Sequence, residues 1–310
     1  MFNWKKLGMI YKTEKYAQSP QVLIFDNFIR IYFCTRYKDN KGIYLSNVEY
    51  IDVDKNFKIL NKSTDPIIKL GDLGCFDEHG IFPFHILKHK NLISAYTTGW
   101  SRRESVPDNI SIGLATSLDN GKTFSKYGSG PILTNSKNQP FLICDPFIKV
   151  IDNVYHMWYI FGLKWIKDEN PERLYKIGHA ISNDGINWNI EDEPIISDSM
   201  KENECQALPS VIKINNKYHM FFCYRNAIDF RKNKNNSYRI GHAYSDDLKK
   251  WTRDDNNVGI DRSDEGWDSE MLCYPFVFKL DDKIYMLYNG NHFGKFGFGV
   301  AKLEETNEKA

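Results

Sequence analysis

The stretch CDPFIKVIDNVYHMWYIFGLKWIKDENPERLYKIGHAISNDGINW, Cys144–Trp188, decides the fold. Its pattern returns one step later as LPSVIKI…YHMFFCYR…IGHAYSDDLKKW (208–251) and one step earlier as FPFHILK…LISAYTTGW…IGLATSLDNGKTF (82–124). Looser copies, SPQVLIF…IRIYFCTR and YPFVFKL…IYMLYNG…FGFGVAK, stand before and after these three. One proline marks each copy: Pro20, Pro83, Pro146, Pro209 and Pro275, at steps of 63, 63, 63 and 66 residues. So even a period makes each unit depend on its neighbours for burial, which argues for a single domain over 1–310.

Within the third copy the apolar runs are short, rich in β-branched and aromatic residues, and bounded by turn formers. They predict strands at 146–151, 154–161 and 175–182 and a last strand from Asn187. Asp152-Asn153 and Asn183-Asp184-Gly185 are the turns, because Asn, Asp and Gly tolerate positive φ or bond their own backbone. A longer polar loop is expected over 167–173. Four antiparallel strands per copy, five times over, predict an all-β fold, a five-bladed β-propeller. The blades are expected near 18–70, 78–133, 144–197, 204–260 and 268–303. The fifth copy lacks a fourth strand, and Trp4 followed by Ile10 repeats the missing pattern, so 3–10 should pair there and close the ring. Ser117 to Phe124 fits the turn pattern S-x-D-x-G-x-T-F, which bears on fold and not on chemistry. His179 and His242 occupy one place in two copies and read as structural.

Composition narrows the function. Forty-one basic and 40 acidic residues leave a net charge of +1, no footprint for nucleic acid or an anionic membrane. No apolar run is long enough to span a bilayer, and the start of the chain does not read as a signal peptide. The six cysteines show neither CxxC pairing nor zinc spacing, which fits reduced, partly buried thiols. A cytoplasmic protein, monomeric or weakly oligomeric, with no cofactor and no metal, is the expectation.

Where copies disagree at matching positions, function is expected. In a propeller the first strands line the central channel, so the segments just before each marker proline should form the site. Four copies carry acids there: Asp77 and Glu78, Asp145, Glu204, and Asp268 and Glu270. Gln18 and Ser19 stand before Pro20 instead. Converging carboxylates shift one another's pKa values and can divide acid and base roles, as in glycosidic bond cleavage. Second strands end in cations and aromatics: Arg36, Trp100 with Arg102, and Arg225, with Asn289 and His292 in the last copy. The arginines suit either pairing with the acids or binding a phosphate or acidic sugar. Trp100, Trp267 and Tyr274 offer apolar faces to a sugar or to the core.

On the Ser-Asn-Asp-Gly-x-x-Trp turn (182–188), Asp145-Pro146 and Glu204-Cys205, the chain resembles the five-bladed propeller glycosidases: the arabinanase and β-xylosidase, invertase and mannoside-phosphorylase groups. The Trp267–Pro275 segment is also similar to propeller proteins of bacterial surface-polysaccharide clusters. The resemblance implies that Asp145 tunes the site and that Glu204 is the general acid. The blade-one Asp that those families use as base or nucleophile is replaced by Gln18-Ser19. Three functions stay open: a glycoside hydrolase with Glu204 as acid and Glu270 or Asp77 as base, a glycosyltransferase or phosphorylase whose arginines hold phosphate, and a carbohydrate-binding propeller without chemistry. An enzyme acting on a glycoside or sugar phosphate, hydrolysis first, is the expectation.

Overall fold

A computed structural model describes residues 1–167 and 170–304. Asp168 and Glu169, inside the loop expected over 167–173, lie outside the described residues. Contacts divide the chain into two compact units, Gln21–Pro194 and Met1–Pro20 with Ile195–Ala310. Apart from two single-turn helical segments, the regular structure among the described residues is strand.

Strand β1 (Trp4–Lys12) opens the chain. Next come β2 (Gln18–Ile24), β3 (Ile29–Lys38), β4 (Tyr44–Val53) and β5 (Ile59–Lys62), then β6 (Gly80–His89), β7 (Leu92–Arg102), β8 (Asp108–Ser117) and β9 (Ser125–Lys126). These two sets follow the order β2-β3-β4 with β5 on β4, and β6-β7-β8-β9. A parallel bridge, Ser46 to Gly80, joins them. Strands β10 (Ile143–Ile151), β11 (Val154–Ile166), β12 (Glu172–Ser182) and β13 (Asn189–Ile190) form the next sheet. Strands β14 (Glu204–Ile214), β15 (Lys217–Asn226), β16 (Arg239–Ser245) and β17 (Thr252–Arg253) form another. The last runs β1-β20-β19-β18, with β18 (Cys273–Leu280), β19 (Lys283–Asn289) and β20 (Gly297–Leu303).

The N-terminal strand thus supplies the fourth strand of the last sheet, in the register Trp4 to Leu303 through Lys12 to Gly297. Strands β11 and β12 extend beyond the expected ends, to Ile166 and from Glu172, because Lys164, Trp165 and Ile166 continue the ladder onto Leu174, Arg173 and Glu172.

The turns follow from residue type. Asp152 and Asn153 have φ of 50° and 62°, and Asn215 and Asn216 have 48° and 63°, which gives two-residue hairpins of the twist-matched kind. At Ser117, Ser182 and Ser245 the hydroxyl accepts the amides of Gly121 (2.8 Å), Gly185 (2.9 Å) and Leu248 (2.9 Å). Asp119, Asp184 and Asp247 each accept two amides two to four residues on. Tyr32 and Tyr96 donate their hydroxyls to the carbonyls of Gly121 and Gly185 at 2.8 and 3.0 Å. A tyrosine of one copy thereby fastens the turn of the next.

The marker prolines have a common geometry. Ser19, Asp145, Leu208 and Tyr274, each just before its proline, have φ of 52°, 54°, 48° and 59°. In the second copy the matching Phe82-Pro83 bond is cis. The first strands shift register there, between Ile81 and Phe84, Cys144 and Phe147, Ala207 and Ser210, and Cys273 and Phe276. These are bulges, which re-aim the side chain of the extra residue. A left-handed conformation at a non-glycine costs ~1–3 kcal/mol, so the surrounding sheet must hold it.

Candidate functional site

In the Gln21–Pro194 unit the bulge of β10 carries Asp145, 7% exposed, with its amide donating to Thr98 Oγ1 at 3.2 Å. Beside it, the Cys144 thiol is pushed well above its ordinary value, first by burial and then by the Asp145 charge, with Arg173 opposing and Asp108 adding. Arg173 Nη2 donates to Asp108 Oδ2 at 2.6 Å, and Asp108 Oδ1 is buried without a hydrogen bond. Two carboxylates and one guanidinium therefore act on one thiol at the leading ends of β8, β10 and β12. Asp108 and Arg173 were not singled out from the sequence. Each opens a third strand, at the same end of its sheet as the marker residue, and that topology was the available signal.

The other expected residues of this unit have separate surroundings. Asp77, 1% exposed, pairs through Oδ2 with Lys126 Nζ, while Oδ1 has no hydrogen bond. Glu78 Oε2 accepts the Gly74 amide at 2.8 Å and so ties its own loop. Trp100 donates Nε1 to Ser46 Oγ at 2.7 Å and stacks on His79, centroids 5.8 Å apart. A Cβ on Gly80 would meet both Ser46 Oγ and Trp100 Nε1 within 2.3 Å, so that position needs glycine. Exposed Arg36 lies over the Tyr44 ring at 4.9 Å, and exposed Arg102 donates to the Tyr44 carbonyl at 2.9 Å.

In the other unit Glu204 is fully buried. Its Oε2 accepts Ser199 N (2.8 Å), Ser199 Oγ (3.1 Å) and Met200 N (2.8 Å). Its Oε1 accepts Gln206 Nε2 (2.9 Å) and Arg253 Nη1 (2.5 Å). Burial alone would raise its pKa, but the Arg253 charge and these bonds outweigh that and hold it below the ordinary value. A general acid must carry a proton near the working pH. This carboxylate is instead an ionised anchor, a geometry unsuited to the general-acid role implied by the resemblance.

The same node leaves complementary groups over. Gln206 Nε2 faces four acceptors, the Ile196 and Ser197 carbonyls, Asp198 Oδ1 and Glu204 Oε1. That fixes its amide orientation and leaves Oε1 buried without a hydrogen bond, as is Arg253 Nη2. Arg253 also bonds Asp255 Oδ2 and the Ser197 carbonyl, at 2.8 and 2.7 Å. Neither Gln206 nor Arg253 was singled out from the sequence, because Arg253 lies 49 positions from the acid it holds.

Arg225, unlike Arg36, is buried; its guanidinium lies 3.5 Å from the Phe230 ring centroid and donates to the Asn226 carbonyl at 2.9 Å. Tyr274, on its own bulge, meets Tyr238 edge-on at 5.8 Å. Asp268 accepts Lys6 Nζ (2.8 Å) and the Tyr288 hydroxyl (3.0 Å), and burial with this charge raises the Tyr288 pKa. Asn289 is wholly structural: it bonds the Ala17 and Gly297 carbonyls and the Ser19 amide at 2.7–2.8 Å. Gln18 donates to the Phe293 carbonyl at 2.6 Å. His292 is exposed. Glu270 is exposed as well, held by its amide on Asn291 Oδ1 at 2.8 Å.

Among the described residues no group of three or more His, Cys, Asp or Glu could hold a metal, and no helix is long and apolar enough to cross a membrane. Five of the six cysteines are buried and none is disulfide-bonded.

The fold is that of the propeller glycosidases. A structure described as a glycoside hydrolase matches with a TM-score of 0.76 at 16% identity, over 97% of this chain and 92% of that one. A thermostable family-43 glycoside hydrolase matches at 0.66 and 14%, over 93% and 88%. A structure described under the GH130 family of mannoside phosphorylases, which contains glycoside hydrolases that target beta-1,2 mannosidic linkages in Candida mannan, matches at 0.70 and 15%, over 97% and 94%. The chain belongs to one family with the uncharacterized proteins MT1551 and Rv1502 of two Mycobacterium tuberculosis strains, CDC 1551 / Oshkosh and ATCC 25618 / H37Rv. Each is 32% identical over 311 residues, 97% of this chain and 99% of the relative. A beta-1,2-mannobiose phosphorylase of Thermoanaerobacter sp. (strain X514) is 35% identical over 109 residues, 32% of this chain and 33% of its own. No family model matches the sequence.

Proposed function

We propose that the protein is a carbohydrate-active enzyme that cleaves a glycosidic bond with carboxylates held at the leading ends of its first and third strands. The nearly even step of the marker prolines supports one five-bladed ring over 1–310. One observation carries the chemistry: every copy but the second holds a non-glycine residue in the left-handed region just before its marker proline, and only the third places an acid there, Asp145. Strain of this kind concentrates at active sites. Asp145 is the principal acid/base candidate, with Asp108 its partner carboxylate, held in turn by Arg173. Glu204 serves as a fixed negative charge. Glu270, exposed, is the separate base candidate that the sequence alone suggests.

Asp145→Asn is expected to lower kcat by about 10³-fold or more, with an unchanged melting temperature, on the aryl glycoside that the parent cleaves best. Glu270→Gln should abolish hydrolysis of the same glycoside. Full activity in Asp145→Asn would remove Asp145 from the mechanism.

Phosphorolysis is the second reading, and Ser19 favours it. Water needs a base to attack, whereas phosphate is already an anion. Ser19 in place of an acid before the marker proline costs phosphorolysis nothing. The partial likeness to a beta-1,2-mannobiose phosphorylase supports the same reading. Turnover that requires added phosphate and yields a sugar 1-phosphate would select it over hydrolysis.

A further inference from the structure

The connection between second and third strands spans five positions in the first two copies, 39–43 and 103–107, and seven after β19. Between β15 and β16 it spans twelve, 227–238. Long connections in compact domains are usually functional. This one carries Arg231, Lys232 and Lys234, is flanked by Arg225 and Arg239, and contains a single acid, Asp229. In a chain of net charge +1 that is a local concentration of positive charge.

The loop has a fixed base. Lys232 and Asn233 amides donate to the Asp229 carbonyl at 2.9 and 2.8 Å, and Asn226 and Asn236 amides to the Asn236 and Asn233 carbonyls at 3.0 Å. Phe230, 5% exposed, anchors it from below, with the Arg225 and Arg231 guanidinium groups 3.5 and 4.1 Å from its ring centroid. Lys234 stands exposed on this platform. Its carbonyl accepts both Arg239 Nη2 at 2.8 Å and Arg262 Nη1 at 3.2 Å. Two guanidinium groups thus meet at one oxygen, and the Arg239 pKa is lowered by burial first and by the Arg262 charge second. Asp261, 75% exposed, faces Arg239 at 3.7 Å. Arg239 also donates to the Glu270 carbonyl at 3.5 Å, so the cations adjoin a candidate catalytic segment.

We propose that the 227–238 loop is a phosphoryl-binding site, in which Arg262, Lys234 and Lys232 take a phosphate monoester carried by the saccharide ligand and Arg239 holds the loop in shape. A dianion between these groups gains charge-assisted bonds to a planar guanidinium and relieves the repulsion of like charges. This phosphate is a recognition group away from the bond that is cut, and no bond is made or broken on it. The sugar half of the ligand rests on the glycoside-acting reading above; the anion half stands on the loop alone.

Titration calorimetry on the full chain with a hexose, its 6-phosphate and inorganic phosphate tests the site. The 6-phosphate should bind at least about tenfold tighter than the hexose, with the advantage shrinking as salt rises. Arg262→Gln with Lys234→Gln should lose that tenfold, and Lys234→Gln alone, which leaves the carbonyl bonds in place, should lose part of it. Lys283→Gln should keep it. Equal affinity for the hexose and its phosphate, or a tenfold advantage retained in the double variant, overturns the proposal. Binding of inorganic phosphate that the double variant loses, without binding of any unphosphorylated saccharide, supports the anion site while telling against the glycoside-acting reading.

Discussion

The third and fourth copies share one frame and fill it in opposite ways. Both place a histidine pair on neighbouring strands, His156 Nδ1 to His179 Nε2 at 3.1 Å and His219 Nδ1 to His242 Nε2 at 3.0 Å. Both close with the same Ser-Asp turn. Yet Ile143 and Ile190, which pack with Phe161 in an apolar cluster, correspond at the 63-residue step to Gln206, Arg253 and Tyr224. Ile190 pairs with Ala180 as Arg253 pairs with Ala243, so the backbone positions match. Phe141 corresponds to Glu204. One frame therefore accepts either an apolar plug or a buried ionic node. Buried ion pairs are seldom the more stable choice, so the node in the fourth copy points to a task beyond stability.

Removing residues 1–10 should have the largest effect. It strips β1 from β20 and uncovers the fourth copy, where Trp4 meets Phe221 edge-on at 5.4 Å and Phe2 meets His219 and His242 at 5.2 and 5.0 Å. The melting temperature should fall by more than about 10 °C; an unchanged melt would refute the role of this strand. Arg253→Ile alone should cost about 3–5 kcal/mol in urea unfolding, because it strands a buried carboxylate. Converting the whole node to the residues of the third copy, Glu204→Phe with Gln206→Ile and Arg253→Ile, should recover to within about 1–2 kcal/mol of the parent. A triple variant no better than the single one would break the equivalence of the two frames.

Acid should act on both copies alike. Burial, and then the neighbouring imidazole, lowers the His156 and His219 pKa values to about 4, below the unfolded value near ~6.5. A depressed folded pKa gives stability that is present above the unfolded value and lost as pH falls from ~6.5 toward 4. Melting temperature should decline over that window, and His156→Gln with His219→Gln should flatten the decline. The smallest expected effect is a matched one: Ser182→Ala and Ser245→Ala should each cost about 1 kcal/mol. A large inequality would show that the two turns are not equivalent.

How much was legible depended on distance along the chain. The strands and turns of the third copy, the N-terminal strand on the last sheet and the structural setting of His179 and His242 followed from local pattern and period. The bulge geometry at Asp145 did not, because a proline marks the place without revealing that the residue before it turns left-handed. Glu204 shows the limit most clearly. As an acid before a marker proline it suggested a proton donor, but Arg253 and the 199–200 amides fix its charge state, and only folding brings them together.

The sequence by itself determined the repeat, its strands and the places where copies diverge, because period and turn chemistry act over a few residues. Tertiary structure alone decided which divergent groups are paired, ionised or left with spare hydrogen-bonding capacity. Asp108 and Arg173 about Cys144, and Gln206 and Arg253 about Glu204, are set by side chains that meet across strands, and electrostatics depends on those distances rather than on order in the chain.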